Sequence, residues 1–134
     1  MEDSIFTKII KGQIPCYKVY EDERTFAFLD IYPIQPGHTL VVPKKQVVNI
    51  WDLDDMTYEA VMATTRKVAR CLRQIFPDKT HIGVHIEGLD VAHAHVKVFP
   101  FSNDSEFHFH PDTTQEPDHH MLAEIANKMI SWKI

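Results

Sequence analysis

The stretch from residue 80 to residue 101, THIGVHIEGLDVAHAHVKVFPF, constrains the fold more than any other part of the chain. It holds two β-prone runs, THIGVHI and VAHAHVKVFPF, around the tight turn EGLD. Side chains alternate between faces along a strand, so one face of the second run carries His93, His95 and Lys97 and the other Ala94, Val96 and Val98. If the runs form a hairpin, their apolar sets share a face, because a one-residue slip would bury the wrong set. Ile82, Val84 and Ile86 then lie beside Ala94, Val96 and Val98, and His81, Gly83 and His85 join the histidine–lysine face. Gly83, with no side chain beside His95, is expected to leave room for a ligand. Gly88 and Asp90 sit in the turn next to that face, where backbone N–H groups can meet an anion. His38 opens another strand after Pro36-Gly37 and is placed to converge on the same site.

The rest of the chain supplies a sheet and a helix to cover it. SIFTKIIKGQ has apolar residues at helical spacing, with Ser4 as N-cap and Gly12 as stop. CYKVYED, RTFAFLDI and HTLVVP read as strands separated by turns. Residues 54–76 read as the one long helix, with Tyr58, Val61, Thr65, Val68, Leu72 and Ile75 along its apolar stripe. Residues 118–132 make a last amphipathic helix around Met121, Ile125, Met129 and Trp132. Short adjacent strands with tight turns predict an antiparallel sheet with the long helix on one face. At 134 residues, with 44% hydrophobic and 25% charged, the chain reads as one globular domain spanning 1–134.

Net charge is −5, so no overall basic field is present to hold a nucleic acid polymer, while a small nucleotide pocket stays open. Cys16 and Cys71 show no CxxC spacing and read as free thiols of a reducing compartment. MEDSIFTK lacks the basic segment and apolar run of a signal peptide, and no run approaches the roughly 20 apolar residues that span a bilayer. The expected location is cytoplasmic, with no membrane partner.

Three readings compete for the paired histidines. They are ordinary surface or core residues; or they bind a metal, since His at i and i+2 on a strand is a zinc-ligand spacing and His85 can supply a third ligand to His93 and His95; or one is a nucleophile toward phosphorus. An imidazole with an ordinary pKa near 6.5 is largely unprotonated at neutral pH, so it can attack and later leave. A neighbouring cation and backbone donors would hold the phosphate oxygens.

SIFTKIIKGQIP, DIYPIQPGHTLVVPKK and EGLDVAHAHVKVFPF together resemble the histidine triad (HIT) superfamily, most closely its small nucleotide-binding branch. The resemblance runs from about Ser4 to Phe101, a core of 4–101 followed by a C-terminal extension and helix over 102–134. It implies an α+β HIT-like fold with a five-stranded antiparallel sheet, one long helix and short N- and C-terminal helices, in a two-fold homodimer. It implies hydrolysis or transfer at the α-phosphate of a nucleotide conjugate of AMP or GMP, through a nucleotidyl-histidine and without a metal or other cofactor. The nucleophile matches His95, its orienting neighbour His93, and a supporting histidine His38. Nucleoside contacts match Ile5, Phe6, Ile9, Phe28, Asp30 and Ile31; apolar side chains suit a flat base and one carboxylate suits the ribose hydroxyls. Core packing explains the apolar members of that set equally well.

The sequence departs from the family pattern at named positions. The third histidine of the triad is Lys97, which keeps a phosphate clamp and the nucleotidylating step but, staying protonated, slows or redirects the second step. The polar residue usually near the phosphate falls around His85, and a phosphate-contacting serine matches Asp90, a carboxylate that would repel phosphate unless Lys97 offsets it. Gln46 stands where many members have another histidine. His108, His110, His119 and His120 lie beyond the motif, in a polar segment leading into the last helix. That segment is read as an exposed tail, with a transition-metal site or a cover over a partner's pocket as alternatives. For the whole chain, a nucleotide-binding module with little turnover and a metal-dependent hydrolase using His85, His93 and His95 remain the other functional readings.

Overall fold

The computed structural model describes residues 1–134. Five strands, β1 (Lys18–Glu21), β2 (Thr25–Leu29), β3 (Thr39–Pro43), β4 (His81–His85) and β5 (Val96–Phe101), form one antiparallel sheet in the order β1-β2-β3-β5-β4. Four helices accompany it: α1 (Ile5–Ile10), α2 (Asp55–Ile75), α3 (Asp104–Phe107) and α4 (His119–Trp132). The fold is α+β, as the alternation of short strands with one long amphipathic helix requires. No helix is long and apolar enough to cross a membrane.

The two faces of the sheet are buried by different partners. On one, Val61, Val68, Cys71 and Leu72 of α2 meet Ala27, Leu29, Val41, Val96 and Val98. Each of the larger aliphatic side chains contributes about 1.5–3 kcal/mol when fully buried. The stripe read from the sequence is wider in the fold: Thr57 and Thr64 are buried as well, and Thr64 shares a 2.7 Å hydroxyl hydrogen bond with Thr25. Leu122, Ile125, Ala126 and Met129 of α4 belong to the same cluster. On the opposite face Phe6 and Ile9 of α1 pack against Phe26, Phe28, Leu40 and Val42. Ser4 caps α1 by accepting from the Thr7 N–H at 3.0 Å.

Two glycines permit the approaches that shape the site. Gly37 has φ +96, and a Cβ there would lie 2.8 Å from Phe76 and 3.0 Å from Leu72. Only glycine fits between the end of α2 and the turn that delivers His38. At Gly83 a Cβ would lie 2.8 Å from both Phe101 and Phe107. The space beside Gly83 is therefore filled by aromatic rings and is not a ligand vacancy next to His95, which corrects the reading from the sequence.

The hairpin parity holds where the strands pair: Val84 faces Val98, and His85 faces Lys97. The ladder, however, starts at Val96 and excludes His93 and His95. The Ala94 N–H donates to the Val47 carbonyl at 2.7 Å, so this segment is tied to the loop after β3 instead of to β4. Gly83 consequently faces Phe99 and His81 faces Phe101.

Candidate functional site

A cleft of about 750 Å³ opens on the α1 face of the sheet. That is the size of a small-molecule site. One row across the sheet, Phe28–Leu40–Lys97–His85, forms part of its floor. Ile5, Phe6 and Ile9 of α1 line it together with Phe28, Asp30, Ile31, His38, His85, Asp90, His95 and Lys97. Two residues singled out from the sequence are not in the wall: His93 lies behind it, and Gly88, with φ +64, is spent on the turn.

His95 is 3% exposed, with Phe6 edge-on to its ring at 5.1 Å between centroids. Its Nδ1–H donates to the His93 carbonyl at 2.8 Å. A carbonyl only accepts, so the proton is fixed on Nδ1, and in the neutral ring the lone pair falls on Nε2. The orienting group is thus the backbone oxygen of His93 and not its ring. That ring is fully buried, donating from Nε2 to the Pro43 carbonyl at 2.8 Å and accepting at Nδ1 from Ser4 Oγ at 2.7 Å. Burial holds its pKa below the ordinary histidine value, with His95 adding to the effect and the Pro43 contact opposing it. With both nitrogens engaged, His93 cannot join His85 and His95 around a metal, and the structure contains no group of three or more His, Cys, Asp or Glu side chains able to hold one. That geometry gives the metal reading of the HxH pair no support.

Behind His93 stands a network that the sequence did not reveal. Gln46 Oε1 accepts from the Ser4 N–H at 2.8 Å and from the Thr7 hydroxyl at 2.7 Å. Its Nε2 donates to the Glu2 carbonyl at 2.8 Å. Gln46 therefore locks the start of α1 against the residue that orients His95.

His38 is 2% exposed and does not hydrogen-bond to His95. Its Nδ1 accepts from the Ile34 N–H at 3.0 Å, which puts the neutral ring's proton on Nε2. That Nε2 has no hydrogen-bond partner and lies 3.7 Å from Asp30 Oδ2. Burial first, then the nearby Lys97, His85 and His95, push its pKa down to about 3. His38 accordingly supports the Asp30 side of the cleft, not the tautomer of His95. The Asp30 carboxyl accepts from the Tyr32 N–H at 2.9 Å through Oδ1. Burial raises its pKa above the ordinary carboxylate value, against the opposing pull of the Tyr32 N–H and Lys97.

Lys97 is held between two carboxylates: Nζ is 2.5 Å from Glu87 Oε1 and 3.2 Å from Asp90 Oδ2. Burial works to lower its pKa, but the hydrogen bonds to Glu87 and Asp90 outweigh it and the net shift is upward. Asp90 is offset by Lys97, as its position required, whereas Glu87 was missed. Its only signal was its place in the EGLD turn.

The segment after β5 also reaches the cleft. Phe107, His108, Phe109 and His110 line the wall of their own chain's cleft. Phe107 packs edge-on to His85 at 4.8 Å, and Phe99 does so at 5.2 Å. This part of the tail is therefore a wall. His119 and His120 lie in the first turn of α4, away from the cleft; His119 Nδ1 is 2.5 Å from the Tyr17 hydroxyl.

This geometry sits on a fold and sequence with known relatives. The HIT domain family model matches residues 11–104. An uncharacterised HIT-like protein of Borreliella burgdorferi is 40% identical over 112 residues, covering 78% of this chain and 80% of its own length. The adenosine 5′-monophosphoramidase of Schizosaccharomyces pombe is 33% identical over 100 residues, covering 75% of each chain. The crystal structure of a Hit-like protein involved in cell-cycle regulation from Bartonella henselae, with unknown ligand, superposes with a TM-score of 0.80 at 32% identity over 96% of this chain and 95% of that one. Five antiparallel strands, the buried histidine pair and these matches have one common meaning: the chain belongs to the HIT family.

Proposed function

We propose that the protein acts on a conjugate of AMP or GMP at the α-phosphate, with His95 as nucleophile, as in the small nucleotide-binding branch of the family. One observation carries this reading. The His93 carbonyl fixes the proton of His95 on Nδ1, so the lone pair of a neutral ring is on Nε2, in a ring that lines the cleft. Nε2 forms a bond to phosphorus as the bond to the leaving group breaks, and a departing amine takes its proton from solvent. Water then attacks the nucleotidyl-histidine, forming a P–O bond as the P–Nε2 bond breaks, losing its proton to solvent and leaving the ring neutral. Ile5, Phe6, Ile9, Phe28 and Ile31 offer apolar contact for a base, and Asp30, whose Oδ2 is left unbonded within the protein, is placed to accept from ribose hydroxyls. The Schizosaccharomyces pombe relative, an adenosine 5′-monophosphoramidase, carries out chemistry of this kind.

Intact-mass analysis after mixing with adenosine phosphoramidate tests it. A single adenylyl adduct forms on the wild type and is absent from His95→Ala; an adduct that persists in the variant refutes the assignment.

A second reading, a nucleotide-binding module with little turnover, is favoured by one feature: the Lys97 ammonium is already paired with Glu87 and Asp90. Calorimetry with AMP beside a turnover assay separates the two, since tight binding without turnover supports the module. The two-fold dimer fits the edge position of β4, where Val84 is exposed, and sedimentation velocity measures it.

A further inference from the structure

Around Lys97 the cleft wall holds more negative than positive charge. Glu87, Asp90 and Asp30 all line the cleft, and Lys97 supplies its one ammonium. Glu87 is the closer of the two partners of Lys97 and the more sheltered, its side chain 29% exposed against 74% for Asp90. A sheltered charge is less screened by solvent and salt. His38 does not offset this charge, because its buried ring stays neutral. Its Nε2–H, without a partner and 3.7 Å from Asp30, is a donor left unsatisfied in the same wall. A buried donor of that kind calls for an explanation, and completion of the site by a ligand provides one.

An α-phosphoryl group next to Lys97 adds a negative charge to those of Glu87 and Asp90. A leaving group made of further phosphates, or one bearing a carboxylate, deepens the imbalance. One bearing an ammonium reduces it, and Phe107 and Phe109, aromatic residues that can attract a cation, line the same cleft.

We propose that the cleft selects the group joined to the nucleotide by its charge, accepting a cationic amine and disfavouring a polyphosphate or carboxylate-bearing group, with Glu87 as the selecting residue. The proposal rests on the nucleotide-conjugate reading above and narrows its substrate class.

The test compares two size-matched probes, the adenosine phosphoramidates of ethylenediamine and of glycine. Affinities are read by calorimetry in a His95→Ala background so that turnover does not consume the probes. The ethylenediamine conjugate binds at least about tenfold more tightly, Glu87→Gln narrows the ratio by about fivefold, and Glu87→Lys inverts it. Equal affinities, or a ratio untouched by both substitutions, overturn the selectivity. Turnover by the wild type shows which idea has failed. If both conjugates bind equally and are hydrolysed through His95, only the charge selection falls; if neither binds, and AMP does not bind, the nucleotide reading falls with it.

Discussion

At His95 the backbone decides the chemistry of the side chain. The His93 carbonyl holds Nδ1–H, so the ring does not depend on a second side chain for its tautomer. The position of that carbonyl depends in turn on the His93 ring, anchored between Pro43 and Ser4. Ser4 does two jobs with one hydroxyl, donating to His93 Nδ1 at 2.7 Å and accepting from the Thr7 N–H at 3.0 Å. Ser4→Ala removes both contacts and leaves a buried nitrogen with only the longer contact to Thr7 Oγ1 at 3.4 Å. The expected loss is about 1–3 kcal/mol, combining a helix cap with an unsatisfied acceptor, and urea denaturation measures it. A loss confined to a few tenths of a kcal/mol would mean that His93 is held by Pro43 alone.

At the scale of elements, the cleft is a space between α1, the sheet and the segment that follows β5. That segment rests on Phe107, which is seated over Gly83 with Phe99 and Phe101 around it. Gly83→Ala places a methyl 2.8 Å from two of these rings. Either ring must move, and overpacking of this sort costs about 1–3 kcal/mol. Because Phe107 also packs on His85, the displacement reaches the wall opposite Lys97. The expected outcome is a lowered melting temperature together with altered near-ultraviolet circular dichroism. A variant with native melting and an unchanged aromatic spectrum would show that the rings yield freely. The helical cap of Asn103 on α3, accepting from the Glu106 N–H, fixes where Phe107 begins its descent onto the sheet.

For the whole molecule, the buried histidines make stability depend on pH. His38 is neutral in the folded state down to about pH 3 because burial disfavours its charged form, whereas in the unfolded chain it protonates near 6.5. Below 6.5 the unfolded state therefore binds more protons, so stability falls as pH falls. From pH 7 to pH 5 this one residue accounts for a loss of about 2 kcal/mol, and His93, shifted the same way, adds to it. Asp30, raised by burial, acts in the opposite sense over the range just above its ordinary carboxylate value. Urea denaturation at pH 7 and pH 5 should show the decrease, and His38→Asn should flatten it. A stability unchanged between the two pH values would mean that His38 is charged or exposed in the fold.

The amino-acid sequence by itself determined the elements and the parity of their pairing. Alternation in strands and a three-to-four spacing in helices are local properties, so the face shared by Val84 and Val98, the face shared by His85 and Lys97 and the core face of α2 could be read directly, whereas the register that sets Gly83 against Phe99 could not. The apolar spacing of α1 was legible for the same reason, while Phe28 and Asp30 were singled out only through the family resemblance. What only the tertiary structure decided were contacts between segments far apart along the chain. Strand β5 begins at Val96 because Ala94 bonds to Val47 and His93 to Pro43. Lys97 meets Glu87 because an irregular turn folds back over the sheet, and Phe107 fills the space at Gly83 because the chain after β5 returns across it. Periodicity carries no information about the path of such loops; their positions follow from which distant partners are free to satisfy a charge, a backbone donor or a ring.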